Sequence, residues 1–206
     1  MQKTHLKAGF LGDSIFNGYM TDYESKCWRV FEKKSQIQVI SSGYENPLGF
    51  PGAGIFDLIS LSDTLFMRYQ PDIIFLCIGA NHFDSYGNLM WPYGTNTSSF
   101  LNAYYDLFEK LRKQRFEVIW AGIPPLEQCG INQQKSLEWG YKIKNIADDF
   151  NFKSAFFTEQ IIKSDQWDAM GGVYYNNLAV DIHPNENGQE FIGKFYSDWF
   201  GEFYKF

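Results

Sequence analysis

The chain has 206 residues, and its 18 Lys and Arg against 24 Asp and Glu give a formal net charge of -6 at pH 7. A negative chain without a long basic run lacks the electrostatic footprint of a nucleic-acid-binding protein, and no stretch approaches the roughly 18 apolar residues that a membrane span needs. Hydrophobic residues make up 45% of the chain. This composition excludes disorder for most of its length and predicts a single domain over residues 1–206.

Short apolar runs alternate with amphipathic stretches along the chain. In chain order, the pattern predicts strands at 6–11, 37–40, 72–78, 116–121 and 154–157, and helices at 23–34, 57–69, 98–113, 132–150 and 186–200. The run DIIFLCI at 72–78 is typical of a central parallel strand covered on both faces. Alternating strands and helices favour βαβ units, so we predict an α/β fold: a three-layer α/β/α sandwich with a mainly parallel five-stranded sheet.

Polar or glycine-rich segments stand where the predicted strands end or the last helix begins. They are GDS at 12–14, NPLGFPGAG at 46–54, GAN at 79–81 and DIHPN at 181–185. Ligands of open parallel sheets bind outside the carboxyl ends of the strands, so these segments are expected to meet. Each also has a plainer interpretation: a capped turn, a phosphate-binding loop, a second turn and a structural loop histidine. The glycine loop lacks the Lys-Ser/Thr ending of a P-loop, which argues against nucleotide binding.

Taken in order, these segments resemble the four blocks of the GDSL-type (SGNH) hydrolases, which are named for a Ser, a Gly, an Asn and a His. The matching segments are FLGDS at 10–14, GFPG at 49–52, IGAN at 78–81 and DIHPN at 181–185. Ile15 stands where the name-giving Leu usually does. The resemblance covers residues 6–200. It implies a flavodoxin-like SGNH fold and an esterase that uses neither a metal nor an organic cofactor.

The resemblance also implies a role for each matching side chain. Ser14 would be the nucleophile, His183 its general base, and Asp181 the acid that orients the imidazole. The oxyanion donors would be the amides of Ser14 and Gly52 and the side-chain amide of Asn81. We expect glycine at position 52 because a side chain there would obstruct close approach of the backbone.

Two residues depart from the family pattern. His82 follows Asn81, where family members mostly have Asp, and Asp181 precedes His183 by two residues rather than three. Either Asp181 reaches the imidazole, which we favour, or a backbone carbonyl orients His183 instead. His82 is expected at the rim of the pocket, where it would be the rival base.

Long segments at 81–99, 127–135 and 167–177 are rich in Gly, Asn and aromatic residues and are expected to overhang the pocket. Their rings could stack on a sugar or cover an acyl chain, or could only hold the loops in place. No extended aliphatic run offers a lid for a long lipid chain. The residues expected to line the substrate pocket are Asp13, His82, Trp91, Tyr93, Trp167 and Tyr174.

We therefore predict a serine esterase that hydrolyses small acyl esters, with O-acetyl groups on carbohydrate as the candidate substrates. One alternative is an acyltransferase that uses the same Ser/His site. Another is a non-catalytic carbohydrate-binding module on the same fold. No nucleic-acid or membrane partner is expected. The sequence shows no signal-like apolar segment at Met1–Lys7, so a cytoplasmic location is the default expectation.

Overall fold

A five-stranded parallel sheet forms the centre of the computed structural model, which describes residues 6–19, 21–84, 86–90, 92, 96–126, 134–164 and 183–204. The strands are β1 (Lys7–Gly12), β2 (Gln38–Val39), β3 (Ile73–Cys77), β4 (Glu117–Trp120) and β5 (Lys153–Ser154). Every strand pair is parallel, and the order across the sheet is β2-β1-β3-β4-β5. This is the strand order of flavodoxin-like folds. The predicted α/β architecture is confirmed.

Helices cover both faces of the sheet. They are α1 (Ser14–Asn17), α2 (Cys27–Ser35), α3 (Ile55–Tyr69), α4 (Thr97–Arg112), α5 (Gln134–Asp149), α6 (Phe157–Lys163) and α7 (Glu186–Phe203), with 3-10 turns at Tyr23–Ser25 and Ala80–His82. One core joins α3, α4 and α5 to one face, and the other joins α1, α2, α6 and α7 to the opposite face. No helix in these described ranges is long and apolar enough to cross a membrane.

The apolar run of β3 serves both cores at once. Side chains alternate across a strand, so Ile74 and Leu76 enter the core under α3 to α5, while Ile73, Phe75 and Cys77 enter the other core. All five are buried. A strand buried on both faces needs apolar residues at every position, which explains the unbroken run in the sequence.

Part of the high aromatic content lies in the core beside β1. The rings of Phe10 and Phe75 stack with centroids 4.9 Å apart, and Phe31 and Tyr196 pack against Phe75 at 5.1 and 5.2 Å. Phe16 of α1 adds an edge contact to Phe10 at 5.1 Å. These rings fasten α1, α2 and α7 to the strand that carries the first polar segment, so they act in packing rather than in a ligand surface.

Two predicted elements differ from the structure by more than a shift of their ends. The helix expected at 23–34 is interrupted at Lys26, whose extended ψ of 133° separates the 3-10 turn from α2. The strand expected at 154–157 ends at Ser154, and α6 follows where no helix was predicted. Burial of Phe157 in the core and a hydrogen bond from the Thr158 hydroxyl to the Ile123 carbonyl stabilise this short helix.

Candidate active site

Ser14 begins α1, two residues after the end of β1, in what we call the nucleophile turn, residues 12–18. Asp13 caps the helix: its Oδ1 accepts a hydrogen bond of 3.0 Å from the Ile15 amide. A Cβ on Gly12 would overlap the carbonyl oxygen of Cys77, so only glycine lets the chain turn this close to β3. The turn therefore fixes Ser14 at the carboxyl edge of the sheet.

A buried amide side chain ties the nucleophile turn to the strand before it. Asn46 donates from Nδ2 to the carbonyls of Phe10 at 2.7 Å and Phe16 at 3.0 Å, and its Oδ1 accepts from the Leu48 amide at 3.0 Å. One side chain thus bonds the end of β1, the end of α1 and its own loop. Asn46 lies in the second polar segment of the sequence, where no local pattern indicates this role.

His183 meets Ser14 across 169 positions of sequence. Its Nε2 lies 2.6 Å from the Ser14 Oγ, which is hydrogen-bond distance. Ser14 is only 5% exposed and His183 is half-buried, so the contact is partly shielded from water. The ring of Tyr19 lies beside His183, with centroids 5.2 Å apart.

A second buried amide explains how the two ends of the chain come together. Gln189, in the first turns of α7, donates from Nε2 to the Ile15 carbonyl at 2.9 Å and accepts at Oε1 from the Cys27 amide at 2.9 Å. It thereby joins α7 to α1 and α2. A Cβ on Gly193 would lie 2.5 Å from the Cys27 carbonyl oxygen, so α7 and α2 pack closely at this point. His183 enters the site just before this anchored helix.

Two of the three residues expected as oxyanion donors, Gly52 and Asn81, lie on neighbouring loops. Gly52 and Asn81 are both exposed, and the Asn81 Nδ2 donates to the Ala53 carbonyl at 2.8 Å. Gly52 has a φ of +80°, and no atom of the described residues lies within 4 Å of the position of a Cβ. Within the protein, glycine is needed there for the left-handed backbone and not because the position is crowded.

The structure places His82 away from the pocket rim where the sequence suggested it. Its side chain is buried, with the residue only 7% exposed, and the ring packs edge-on against Phe100 at 5.9 Å. Nε2 accepts a hydrogen bond of 3.1 Å from the Ile55 amide. Burial lowers the pKa of His82 from its ordinary value of 6.5, while the Asp57 carboxylate opposes this shift. The ring therefore supports the site from inside the fold.

Asp13 was expected to line the substrate pocket, but its side chain has no exposed surface. Desolvation by burial raises the pKa of Asp13 from 3.8 to about 7, and the amides of Ile15, Ala80 and Asp13 itself partly oppose this rise. Its Oδ2 is buried without a hydrogen-bond partner among the described residues. Asp13 thus supports the nucleophile turn from within, where substrate does not reach it.

Five of the predicted site residues lie outside the described residues. They are Asp181, Trp91, Tyr93, Trp167 and Tyr174. Their expected roles remain predictions. Within the part of the chain that the structure describes, no group of three or more His, Cys, Asp or Glu side chains is arranged to hold a metal ion.

Several solved structures resemble this chain. An acetyl xylan esterase, AlAXEase, is 21% identical with a TM-score of 0.68, covering 94% of this chain and 99% of its own. A member of the lipolytic protein G-D-S-L family from Veillonella parvula is 18% identical with a TM-score of 0.68, covering 95% and 98%. A catalytic mutant of an acetylxylan esterase from Geobacillus stearothermophilus is 17% identical with a TM-score of 0.65, covering 96% and 95%. At these identities the likeness supports the fold alone.

Sequence comparison identifies the family. No curated protein matches the chain. Residues 10–191, which include Ser14, Gly52, Asn81 and His183, match the GDSL-like lipase/acylhydrolase family. The match extends over most of the chain and agrees with the fold of the structural relatives. The protein therefore belongs to the GDSL-like lipase/acylhydrolase family and is an ester-bond hydrolase.

Proposed function

We propose that the protein is a serine esterase that hydrolyses small acyl esters, with O-acetyl groups on carbohydrate as its substrate class. The contact of 2.6 Å between the Ser14 Oγ and the His183 Nε2 carries this proposal. A serine hydroxyl is a weak nucleophile near neutral pH and needs a base within hydrogen-bond reach. The neutral imidazole of His183 is such a base, provided that its own proton is on Nδ1.

The first half of the reaction forms an acyl-enzyme. Ser14 Oγ attacks the ester carbonyl carbon while His183 Nε2 takes the hydroxyl proton. The carbonyl oxygen becomes an oxyanion, and the tetrahedral intermediate collapses when the ester C–O bond breaks. The leaving alcohol takes the proton from His183 Nε2. The products of this half are a free alcohol and an acyl group esterified to Ser14.

The second half repeats these steps with water. His183 Nε2 takes a proton from water as its oxygen attacks the acyl carbon, and the bond to Ser14 Oγ then breaks. The proton returns to Ser14, and a carboxylic acid leaves. Asp181 would accept a hydrogen bond from His183 Nδ1 and stabilise the imidazolium in both halves.

Gly52 and Asn81 are proposed to stabilise the oxyanion together with the Ser14 amide. The Asn81 side-chain nitrogen carries two hydrogens, and the bond to the Ala53 carbonyl uses one of them. The other can be donated to a substrate oxygen at this exposed edge. One such donor typically contributes about 3 kcal/mol to transition-state stabilisation.

Two observations support the choice of substrate class. Two of the solved relatives are named as acetyl xylan or acetylxylan esterases. In this chain, Tyr19 is 44% exposed, and its ring beside His183 offers an aromatic face on which a sugar can pack. Both favour a sugar as the carrier of the acyl group.

Replacement of the nucleophile tests the proposal. Ser14→Ala should abolish hydrolysis of p-nitrophenyl acetate and the release of acetate from acetylated xylan, with an unchanged circular-dichroism spectrum. Ser62→Ala is the matched control, because Ser62 is also a buried serine but lies on α3 and bonds to its own helix. A fluorophosphonate probe should label the wild type and the control but not the Ser14 variant. Full activity of Ser14→Ala would refute the assignment.

Three further measurements refine the proposal. Asp181→Asn should lower kcat far more than it changes KM, and an unchanged kcat would indicate that a backbone carbonyl orients His183.

Among p-nitrophenyl esters, acetate should react faster than octanoate, and the reverse order would remove the small-acyl assignment.

Product analysis with added sugar acceptors should give acetate, whereas acylated acceptor would identify a transferase.

A further inference from the structure

Two hydrogen bonds join the loops that carry Gly52 and Asn81. We call residues 52–55 the oxyanion segment and residues 79–83 the Asn81 turn. The Asn81 side chain donates to the Ala53 carbonyl at 2.8 Å, and the Ile55 amide donates to His82 Nε2 at 3.1 Å. Both bonds run between the same two segments, so the distance between Gly52 and Asn81 depends on them.

The His82 ring fills a position shaped for it. A Cβ on Gly54 would lie 2.6 Å from the ring Cε1 and 2.7 Å from Nε2, so the absence of a side chain there makes room for the imidazole. The ring accepts from Ile55, the first residue of α3, whose amide has no acceptor within its own helix. Asp57 Oδ2 accepts from the Gly54 amide at 2.7 Å in the same turn.

We propose that His82 is a positioning residue whose neutral imidazole holds the oxyanion segment against the Asn81 turn, and that protonation of the ring releases this contact. The inference rests on the proposed function in that these two segments carry the oxyanion donors. His82 does not touch substrate in this role. It acts through Ile55 and Asn81.

The chemistry of the ring determines the direction of the pH effect. An imidazole whose Nε2 accepts a hydrogen bond must be neutral with its proton on Nδ1, and an imidazolium has no acceptor nitrogen. Burial lowers the pKa of His82 below 6.5, and Asp57 is the charged side chain that acts against this shift. The contact is therefore present at pH values above this lowered pKa. It is lost as pH falls through the lowered pKa of the folded protein.

Nuclear magnetic resonance of the 15N-labelled protein tests the contact without any substrate. Above pH 6.5, the His82 ring should show the Nδ1–H tautomer, assigned by the loss of its signals in His82→Gln. On acidification, the amide of Ile55 and the side-chain amide of Asn81 should shift with the midpoint of His82, and in His82→Gln this movement should be absent. An Nε2–H tautomer, or amides that do not follow His82, would overturn the proposal.

Kinetics test whether the contact positions the donors. His82→Gln keeps an acceptor that does not titrate in this range, so its kcat should stay within about threefold of wild type, whereas His82→Leu should lose at least tenfold with little change in KM. Phe100→Leu removes packing on the same ring but leaves the acceptor, so it should lower stability without this loss of kcat. Equal losses in the Gln and Leu variants would contradict the proposal.

These readouts separate the two proposals. If the wild-type protein cleaves no ester, the proposed function fails, but the tautomer and the joint titration of His82, Ile55 and Asn81 still decide whether the contact exists. If ester cleavage depends on Ser14 while the ring shows the Nε2–H tautomer, the proposed function stands and the role of His82 is refuted. The His82→Leu variant can fail to fold without affecting the wild-type titration.

Discussion

The nucleophile turn and the Asn81 turn follow adjacent parallel strands, and each has a buried titratable side chain beside its candidate functional residue. Beside Ser14 it is Asp13, and beside Asn81 it is His82. Burial shifts both pKa values toward the neutral form: it raises that of Asp13 and lowers that of His82. Burial therefore favours the neutral form of both side chains, but acid makes Asp13 neutral and gives His82 a charge.

The difference lies in what protonation does to the hydrogen bond. Asp13 accepts from the Ile15 amide through Oδ1, and its other oxygen has no partner among the described residues, so a proton can bind to Oδ2 and leave the cap intact. His82 accepts through the nitrogen that the proton would occupy. A carboxyl cap thus survives acidification, whereas an imidazole acceptor does not.

The amide contacts that hold the nucleophile turn in place do not titrate. Asn46 and Gln189 bond it to β1 and α7 through amide groups, which keep their donors and acceptors at all ordinary pH values. We therefore expect the position of the nucleophile turn to be more acid-resistant than the contact between the oxyanion segment and the Asn81 turn.

The largest expected effect is on stability and belongs to Asp13. Its carboxyl ionises near 3.8 when unfolded and near 7 when folded, so the free energy of unfolding should fall as pH rises between these values. The full shift corresponds to about 4 kcal/mol. Denaturant unfolding from pH 4 to pH 8 should show this decline relative to Asp13→Asn. Asp63→Asn, at an exposed carboxylate, is the control, and parallel curves for wild type and Asp13→Asn would contradict the raised pKa.

Gln189→Met should show how strongly the nucleophile turn depends on its anchor to α7. The variant keeps the length of the side chain but leaves the Ile15 carbonyl and the Cys27 amide without this partner, which should cost about 3 kcal/mol of unfolding free energy. We also expect kcat to fall by at least tenfold, because α7 positions His183. Gln134→Met, at an exposed glutamine on α5, should change neither quantity. Retained kcat with lost stability would show that α7 does not control the Ser14–His183 contact.

Gly52→Ala separates backbone strain from loss of function. Gly52 and Gly43 both have a positive φ, at +80° and +64°, and both have open space around the position of a Cβ. Alanine at either position should cost about 1 kcal/mol in stability. Only Gly52→Ala should also lower kcat, because only Gly52 is a proposed oxyanion donor. Equal kcat values in the two variants would remove Gly52 from the oxyanion hole.

The sequence predicted the parallel sheet and most of its helices well, because the patterns that indicate these elements are local. Apolar runs such as 72–78 and the polar segments after the strands identify a parallel sheet and its functional edge. The structure brings Ser14 and His183 together, as the ordered family blocks implied. The short helix α6 escaped prediction because a tertiary hydrogen bond from Thr158, not a sequence pattern, stabilises it.

The supporting residues could not be predicted in the same way. Gln189 bonds to a carbonyl 174 positions away, and Asn46 to one 36 positions away, so their roles arise only once the fold is formed. The departure at His82 was visible in the sequence, but the sequence favoured the pocket rim. The burial of this ring depends on the absence of a side chain at Gly54, 28 positions earlier.

Tyr19→Leu gives the smallest expected effect and tests the exposed side of the Ser14–His183 pair. Its ring contact with His183 is partly in water, so its loss should lower kcat/KM only about threefold. Because the Tyr19 ring touches His183 and not the oxyanion segment, its loss should leave the amide signals of Ile55 and Asn81 unchanged, unlike the effect of His82→Leu. Tyr105→Leu, at a similarly exposed tyrosine on α4, is the control. A loss of kcat/KM in Tyr19→Leu no larger than that in Tyr105→Leu would contradict a role for this ring beside His183.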